Sequence, residues 1–229
     1  PKDSQCLIVL GGDGTLIHAA LDFVEYNIPI LGINLGTLGF LTALEKDEMW
    51  EGLDRLMADD YRVEHRMMLV GTVYKGGVKV KEELALNDII VTRSGFSRLV
   101  ETKVYINGEM VDTYAGDGVI ASTPTGSTGY NLSAGGPVML PESELMVVTP
   151  ICPHSLTARS IVVSPDDEIC IEVGHRRKTQ QEEALVTYDG QTVVELESGD
   201  SIRIRRAAQQ IHLLKVTSRT FYEILRTKM

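Results

Sequence analysis

The hydrophobic pattern changes its period along the chain. Residues 6–10, CLIVL, are continuously apolar, as in a strand covered on both faces. Residues 15–26 then set Leu16, Ala19, Ala20, Phe23 and Val24 along one side of a helix. A second apolar strand is predicted over 28–33, and residues 46–57 carry Met49, Leu53 and Leu56 at helical spacing. Strands and helices alternating in this way predict an α/β domain over residues 1–60. From residue 61 helix-length patterns stop. Short alternating segments with turn signals replace them: MLVGTVY before Gly76-Gly77, ETKVYI before Asn107-Gly108, ALVTY before Asp189-Gly190, and SIRIRR before IHLLKV. Asn107-Gly108 is the clearest hairpin turn. Residues 61–216 therefore read as a β-rich (α+β) C-terminal domain, interrupted by a short helix within PTGSTGYNLSAGGP, and residues 220–227 as a closing helix.

Composition narrows the partners. The 229 residues hold 22 basic and 32 acidic side chains for a net charge of −10, which argues against nucleic acid or an anionic membrane as a general partner. The apolar runs fall short of the roughly 20 residues that a membrane helix needs. Three cysteines, Cys6, Cys152 and Cys170, are odd in number and lack metal spacing, so the expectation is a reducing, cytoplasmic setting with no protein-held metal cluster. The chain opens at Pro1 and enters a strand almost at once, so an earlier strand or helix is expected to precede it.

Between the first strand and first helix stands Gly11-Gly12-Asp13-Gly14-Thr15. Glycines there let a ligand approach main-chain N–H groups at a helix N-terminus, a phosphate site in outline. Asp13 would repel phosphate unless magnesium intervenes or the acid faces a hydroxyl, and both alternatives point to phosphoryl transfer. The plain alternative is a tight turn with Asp13 or Thr15 capping the helix. No P-loop and no Rossmann glycine fingerprint occurs. A second constellation, GDGVIASTPTGSTGYNLSAGGP (residues 116–137), offers hydroxyls, exposed N–H groups and one aromatic face, suited to a sugar phosphate and base. Asn87-Asp88, before an apolar strand, could read an amine and hydroxyls of a nucleoside, or form a turn.

Taken together, Gly11–Thr15, Asn87-Asp88 and the 116–137 stretch resemble the NAD kinase family, in family order and over essentially the whole chain. The resemblance implies a two-domain fold whose final segment, residues 217–229, packs back on the first domain. A strand and helix before residue 1 would complete that domain. It implies phosphoryl transfer from ATP or polyphosphate, with Mg2+ or another divalent cation, to the adenosine ribose 2'-hydroxyl of NAD. It also implies a homo-oligomer, a dimer or tetramer. Position by position, Asp13 matches the catalytic aspartate, and Gly12, Gly14 and Thr15 shape the phosphate loop. Asn87, Asp88, Asp117, Thr125, Thr128, Gly129, Tyr130 and Ser133 match substrate contacts, Asp88 standing where many members have Glu. Phe40 resembles a site-lining aromatic and Asp189 a C-terminal Asp-Gly element, with a core phenylalanine and a β-turn as their plain alternatives. His175, Arg176, Arg177 and Lys178 are candidates for extra charge neutralisation. Rival readings are a lipid-type or sugar kinase sharing the Gly-Gly-Asp-Gly motif, and an NAD- or NADP-binding module without catalysis.

Overall fold

A computed structural model describes residues 3–37, 39–95, 99–175 and 182–228. It divides into two compact units, Pro1–Arg66 with Gln209–Met229, and Met67–Ala208. Both passages between units fall inside long strands, Arg62–Lys75 and Ser201–Lys215, so the division by contacts differs from the change of period near residue 61. The SIRIRR and IHLLKV segments, separate in the sequence reading, form one 15-residue strand. The four residues between them, AAQQ, contain no turn former, so nothing interrupts the extended chain.

In the first unit Leu7–Leu10 pairs parallel with Ile30–Asn34, in the register Leu7↔Ile30, and Ile30–Asn34 pairs parallel with Leu44–Glu45. The intervening helix is Asp13–Phe23, continued by a 3-10 turn at Val24–Tyr26; its buried Leu16 packs where a side chain on Gly32 would stand. The predicted 46–57 helix divides into a 3-10 turn, Lys46–Glu48, and an α-helix, Met49–Met57, with a capping box between Glu45 and Glu48. Leu31, Ile33, Ala43, Leu44, Leu214 and Val216 form the core beneath it. The closing helix is Phe221–Lys228.

The second unit is a sandwich. One antiparallel sheet runs in spatial order Ile161–Val163, Met146–Ile151, Gly118–Ser122, Asp88–Arg93, Glu183–Tyr188, Thr192–Glu197. Opposite it, Ile169–Val173 pairs with Val100–Ile106, itself the partner of Glu109–Gly116, and with the start of Ser201–Lys215. Ile89, Val91, Val119, Met146 and Val186 from the first sheet meet Val104, Ile169, Ile171, Ile202 and Ile204 from the second in one core. Tyr188 crosses it, its hydroxyl donating to the Gly71 carbonyl at 3.1 Å, and burial raises its pKa. On the other face of the first sheet Ile90, Ile120 and Ile151 pack against Ala134 of the 116–137 stretch. Strand Asp88–Arg93 is thereby covered on both sides, which is why DIIV reads as an unbroken apolar run after its first residue. Among the described residues no helix is long and apolar enough to cross a membrane.

Candidate functional site

The expected residues fall into two groups, one in each unit. In the first, helix Asp13–Phe23 opens with Gly12 as its N-cap residue and no capping side chain. Gly12, Gly14 and Thr15 are exposed, and open space lies where a Cβ on Gly12 or Gly14 would stand, so an anion can come close to the first-turn amides. Asp13 does not cap the helix. Its Oδ2 accepts the Phe40 N–H at 2.8 Å and its Oδ1 accepts the Leu41 N–H at 3.1 Å. The capping alternative for Asp13 and Thr15 therefore fails, and the carboxylate is oriented by main chain 27 and 28 residues away.

That second segment is shaped by its own polar strut. Asn34, buried at the end of its strand, donates to the Thr37 carbonyl at 2.6 Å and accepts the Gly36 N–H at 2.7 Å. Gly39 supplies the gap into which Asp13 reaches, because a Cβ there would overlap the carboxylate. Phe40, half-buried, stacks its ring at 6.0 Å from Phe221 with the Lys228 ammonium 5.5 Å from its centroid. The sequence singled out Phe40 for its ring; the structure shows its amide holding Asp13.

In the second unit Asp189 organises the Asn87 region. It occupies a left-handed turn, φ 48°, and its carboxylate accepts the N–H groups of Leu86 at 2.7 Å, Asn87 at 2.8 Å and Asp88 at 2.9 Å. Thr123 stitches the same segment from the other side: its hydroxyl donates to the Leu86 carbonyl at 2.6 Å and accepts the Gly126 N–H at 3.1 Å, while its own N–H donates to the Asn87 carbonyl at 2.9 Å. Gly126 lies so close to Asn87 that a Cβ would overlap the Asn87 carbonyl oxygen. Residues 86–88 and 122–129 are thus one built surface. Within it the Asn87 Oδ1 is buried and accepts no hydrogen bond among the described residues, an acceptor that a bound donor would satisfy. Asp88 is 5% exposed, and burial, with the negative charge of Asp189 second, pushes its carboxyl up to about 7.

Thr125 is buried, Thr128 donates to its carbonyl at 3.4 Å, and Gly129, Tyr130 and Ser133 are exposed. Asn131 anchors this loop from below, donating to the Ser127 and Pro137 carbonyls at 3.2 and 3.0 Å and accepting the Thr149 hydroxyl at 2.7 Å. Asp117 accepts Arg93 Nε at 2.7 Å beside an open cleft of about 310 Å3 lined by Thr92, Arg93, Ser94, Gly95, Asp117 and Tyr130. That size lies at the small end for ligand clefts. His175 is exposed, and Arg176, Arg177 and Lys178 lie outside the described residues. Gly39, Arg93, Thr123 and Asn131 were not singled out individually in the sequence, although Gly39 lies in a glycine-rich run and Thr123 and Asn131 lie inside the 116–137 stretch; Arg93 carried no local signal. Among the described residues no three His, Cys, Asp or Glu side chains are grouped to hold a metal.

Comparison with known proteins agrees across the chain. Residues 1–61 match the ATP-NAD kinase N-terminal domain family and residues 86–216 the ATP-NAD kinase C-terminal domain family. The NAD kinase of Lachnoclostridium phytofermentans is 51% identical over 230 residues, covering 100% of this chain and 81% of its own. That of Agathobacter rectalis is 48% identical, covering 100% and 80%. Among solved structures, yeast NADH kinase complexed with NADH matches with a TM-score of 0.86 at 29% identity, covering 99% of this chain and 66% of its own. An NAD kinase from Archaeoglobus fulgidus in complex with ATP matches with a TM-score of 0.82 at 27% identity, covering 99% and 83%.

Proposed function

This chain belongs to the NAD kinase family of phosphotransferases, and from that premise we propose that it moves a phosphoryl group from ATP to the adenosine ribose 2'-hydroxyl of NAD, with Asp13 as the catalytic residue. The complexes of related proteins with ATP and with NADH support a nucleotide donor and a dinucleotide acceptor. The observation that carries the assignment of Asp13 is its posture: it stands in the first turn of a helix whose exposed amides suit a phosphate, yet its two oxygens are fixed by the Phe40 and Leu41 amides. Each oxygen keeps a lone pair for a hydroxyl. Phosphoryl transfer demands positioning and charge neutralisation more than covalent chemistry. Asp13 orients the 2'-hydroxyl and accepts its proton late, as a carboxylate is too weak a base to remove it early.

Gly12, Gly14 and Thr15 receive the donor phosphates. Magnesium, which binds through phosphate oxygens and waters with one or two carboxylates, needs no protein cage and supplies charge neutralisation when bound. Asn87 Oδ1 and Asp88 receive NAD, with Thr125, Thr128, Gly129, Tyr130 and Ser133 beside them and Asp117 at the neighbouring cleft. Asp189 serves by holding residues 86–88. A homo-oligomer, dimer or tetramer, and a cytoplasmic setting complete the proposal.

The test is NADP formation from NAD and magnesium with either ATP or polyphosphate, read by an NADP-specific dehydrogenase. NADP is expected from the wild type, and Asp13→Asn should lose about 10^2–10^4-fold in rate while retaining NAD affinity. Undiminished turnover in Asp13→Asn removes Asp13 from the mechanism. A wild type that binds NAD and makes no NADP supports the binding module instead.

A further inference from the structure

Against the Phe40–Leu41 segment lies a buried charge cluster that the proposed reaction does not use. Lys215, the last residue of its strand, is 8% exposed, and its ammonium donates to the Leu41 carbonyl at 3.4 Å. Glu64 Oε2 lies 4.0 Å from the same nitrogen. Glu64 is itself held by Arg66 at 2.6 Å and by Arg62 at 3.0 Å, and Arg66 is almost wholly buried. An ammonium is costly to bury, and a methionine would fill the same volume without that cost. What the ammonium adds is a charge-assisted bond to one particular carbonyl, on the residue whose N–H holds the Asp13 carboxylate.

We propose that Lys215 is a positioning residue for the phosphoryl transfer: by gripping the Leu41 carbonyl from within the core it fixes the Phe40 and Leu41 amides, and through them the direction in which Asp13 faces its substrate. The inference rests on the kinase reading only for its consequence on rate. Charges around Lys215 agree with a residue that works protonated at neutral pH and loses its grip in mild alkali. Burial lowers its pKa to about 8, Glu64 and Asp13 opposing the shift while Arg66 and Arg62 add to it. The neutral amine that remains above that pH makes a weaker bond and no ion pair.

The experiment compares wild type, Lys215→Met and Lys215→Arg. Without any substrate, amide hydrogen exchange at Phe40 and Leu41 is expected to quicken by about tenfold or more in Lys215→Met, because the local opening free energy falls. In turnover, Lys215→Met should lose on the order of 100-fold in kcat with KM for NAD nearly unchanged, the signature of a misplaced group. Lys215→Arg should recover most of that rate. The wild-type rate should decline above about pH 8, and Lys215→Arg should lack this decline. Stability separates this from a general loosening: between the folded pKa of about 8 and the ordinary 10.5 the unfolded chain binds the proton more tightly, so the wild type gains stability as it loses rate. Glu64 retains Arg62 and Arg66 when Lys215 is replaced, so folding should survive. Exchange at Phe40 and Leu41 unchanged in Lys215→Met overturns the inference, as does a Lys215→Arg variant as slow as Lys215→Met. A wild type that makes no NADP defeats the kinase reading alone, since the exchange measurement still decides the role of Lys215.

Discussion

Glycines 14 and 39 serve opposite purposes, and alanine separates them. At Gly39 a methyl group would overlap the Asp13 carboxylate, so Gly39→Ala must push Asp13 off the Phe40 and Leu41 amides. Its kcat should fall at least about tenfold with NAD affinity nearly intact, as a small misplacement of a reacting group is enough to do this. At Gly14, inside the helix, nothing lies within 4 Å of the added carbon. Gly14→Ala should therefore stabilise the chain by up to about 1 kcal/mol through helix propensity. A simultaneous rise in KM for ATP would show that the space at Gly14 belongs to the phosphates, whereas an unchanged KM would remove it from the donor site. Asp13 drew attention in the sequence because five consecutive residues between an apolar run and a helical pattern read as a strand-to-helix ligand loop; the strand before it is not covered on both faces as that run predicts, since Ile8 and Leu10 are exposed. The amides that orient it were not legible, since a main-chain donor leaves no residue type to recognise.

Turns divide in the same way. Gly76-Gly77, Asn107-Gly108 and Asp189-Gly190 all adopt left-handed pairs, with φ of 55° and 82°, 52° and 81°, and 48° and 71°; the first two are two-residue hairpin loops, and the third opens a three-residue connection between Tyr188 and its partner Thr192. These were readable because the requirement is local. Asp189 does more than turn the chain, and that was hidden, because its three bonds reach residues 101 to 103 positions away. Asp189→Ala would leave three amides beside a void. The loss should be about 2–4 kcal/mol in urea unfolding, counting bonds to a charged acceptor at less than their individual worth. NAD affinity should fall with it. Full affinity in a destabilised Asp189→Ala variant would show that residues 86–88 keep their shape without the carboxylate. Strand Ser201–Lys215 was divided in the sequence reading for a related reason: its two ends serve different units, so its apolar face changes partners midway while the backbone runs on.

At the scale of the whole molecule, two buried groups bend the pH dependence of stability. Asp88, with its carboxyl raised to about 7, holds its proton more tightly folded than unfolded, so its contribution is complete below about pH 4 and lost by about pH 7. A rise of that size is worth about 4 kcal/mol at most. Lys215 acts on the alkaline side, costing stability while charged and relieving that cost between about 8 and 10.5. Together they place a dip near pH 7 to 8, where many proteins are most stable. Urea midpoints at pH 5 and pH 7.5 should differ less in Asp88→Asn than in wild type, with the variant gaining mainly at pH 7.5; an equal gain at both would mean that Asp88 is not protonated on acidification. The long reach of the Asp189 and Lys215 bonds has a further consequence, in the order in which a ribosome releases the chain. Asp13 and Asn87 emerge long before Lys215 and Asp189, whose bonds to the Leu41 carbonyl and to the amides of residues 86–88 form only once those later residues have left the exit tunnel. On the proposed roles of these residues, a nascent chain halted before residue 189 carries every motif of the first half and is expected not to hold NAD, so incomplete synthesis would yield no partial product that sequesters the dinucleotide.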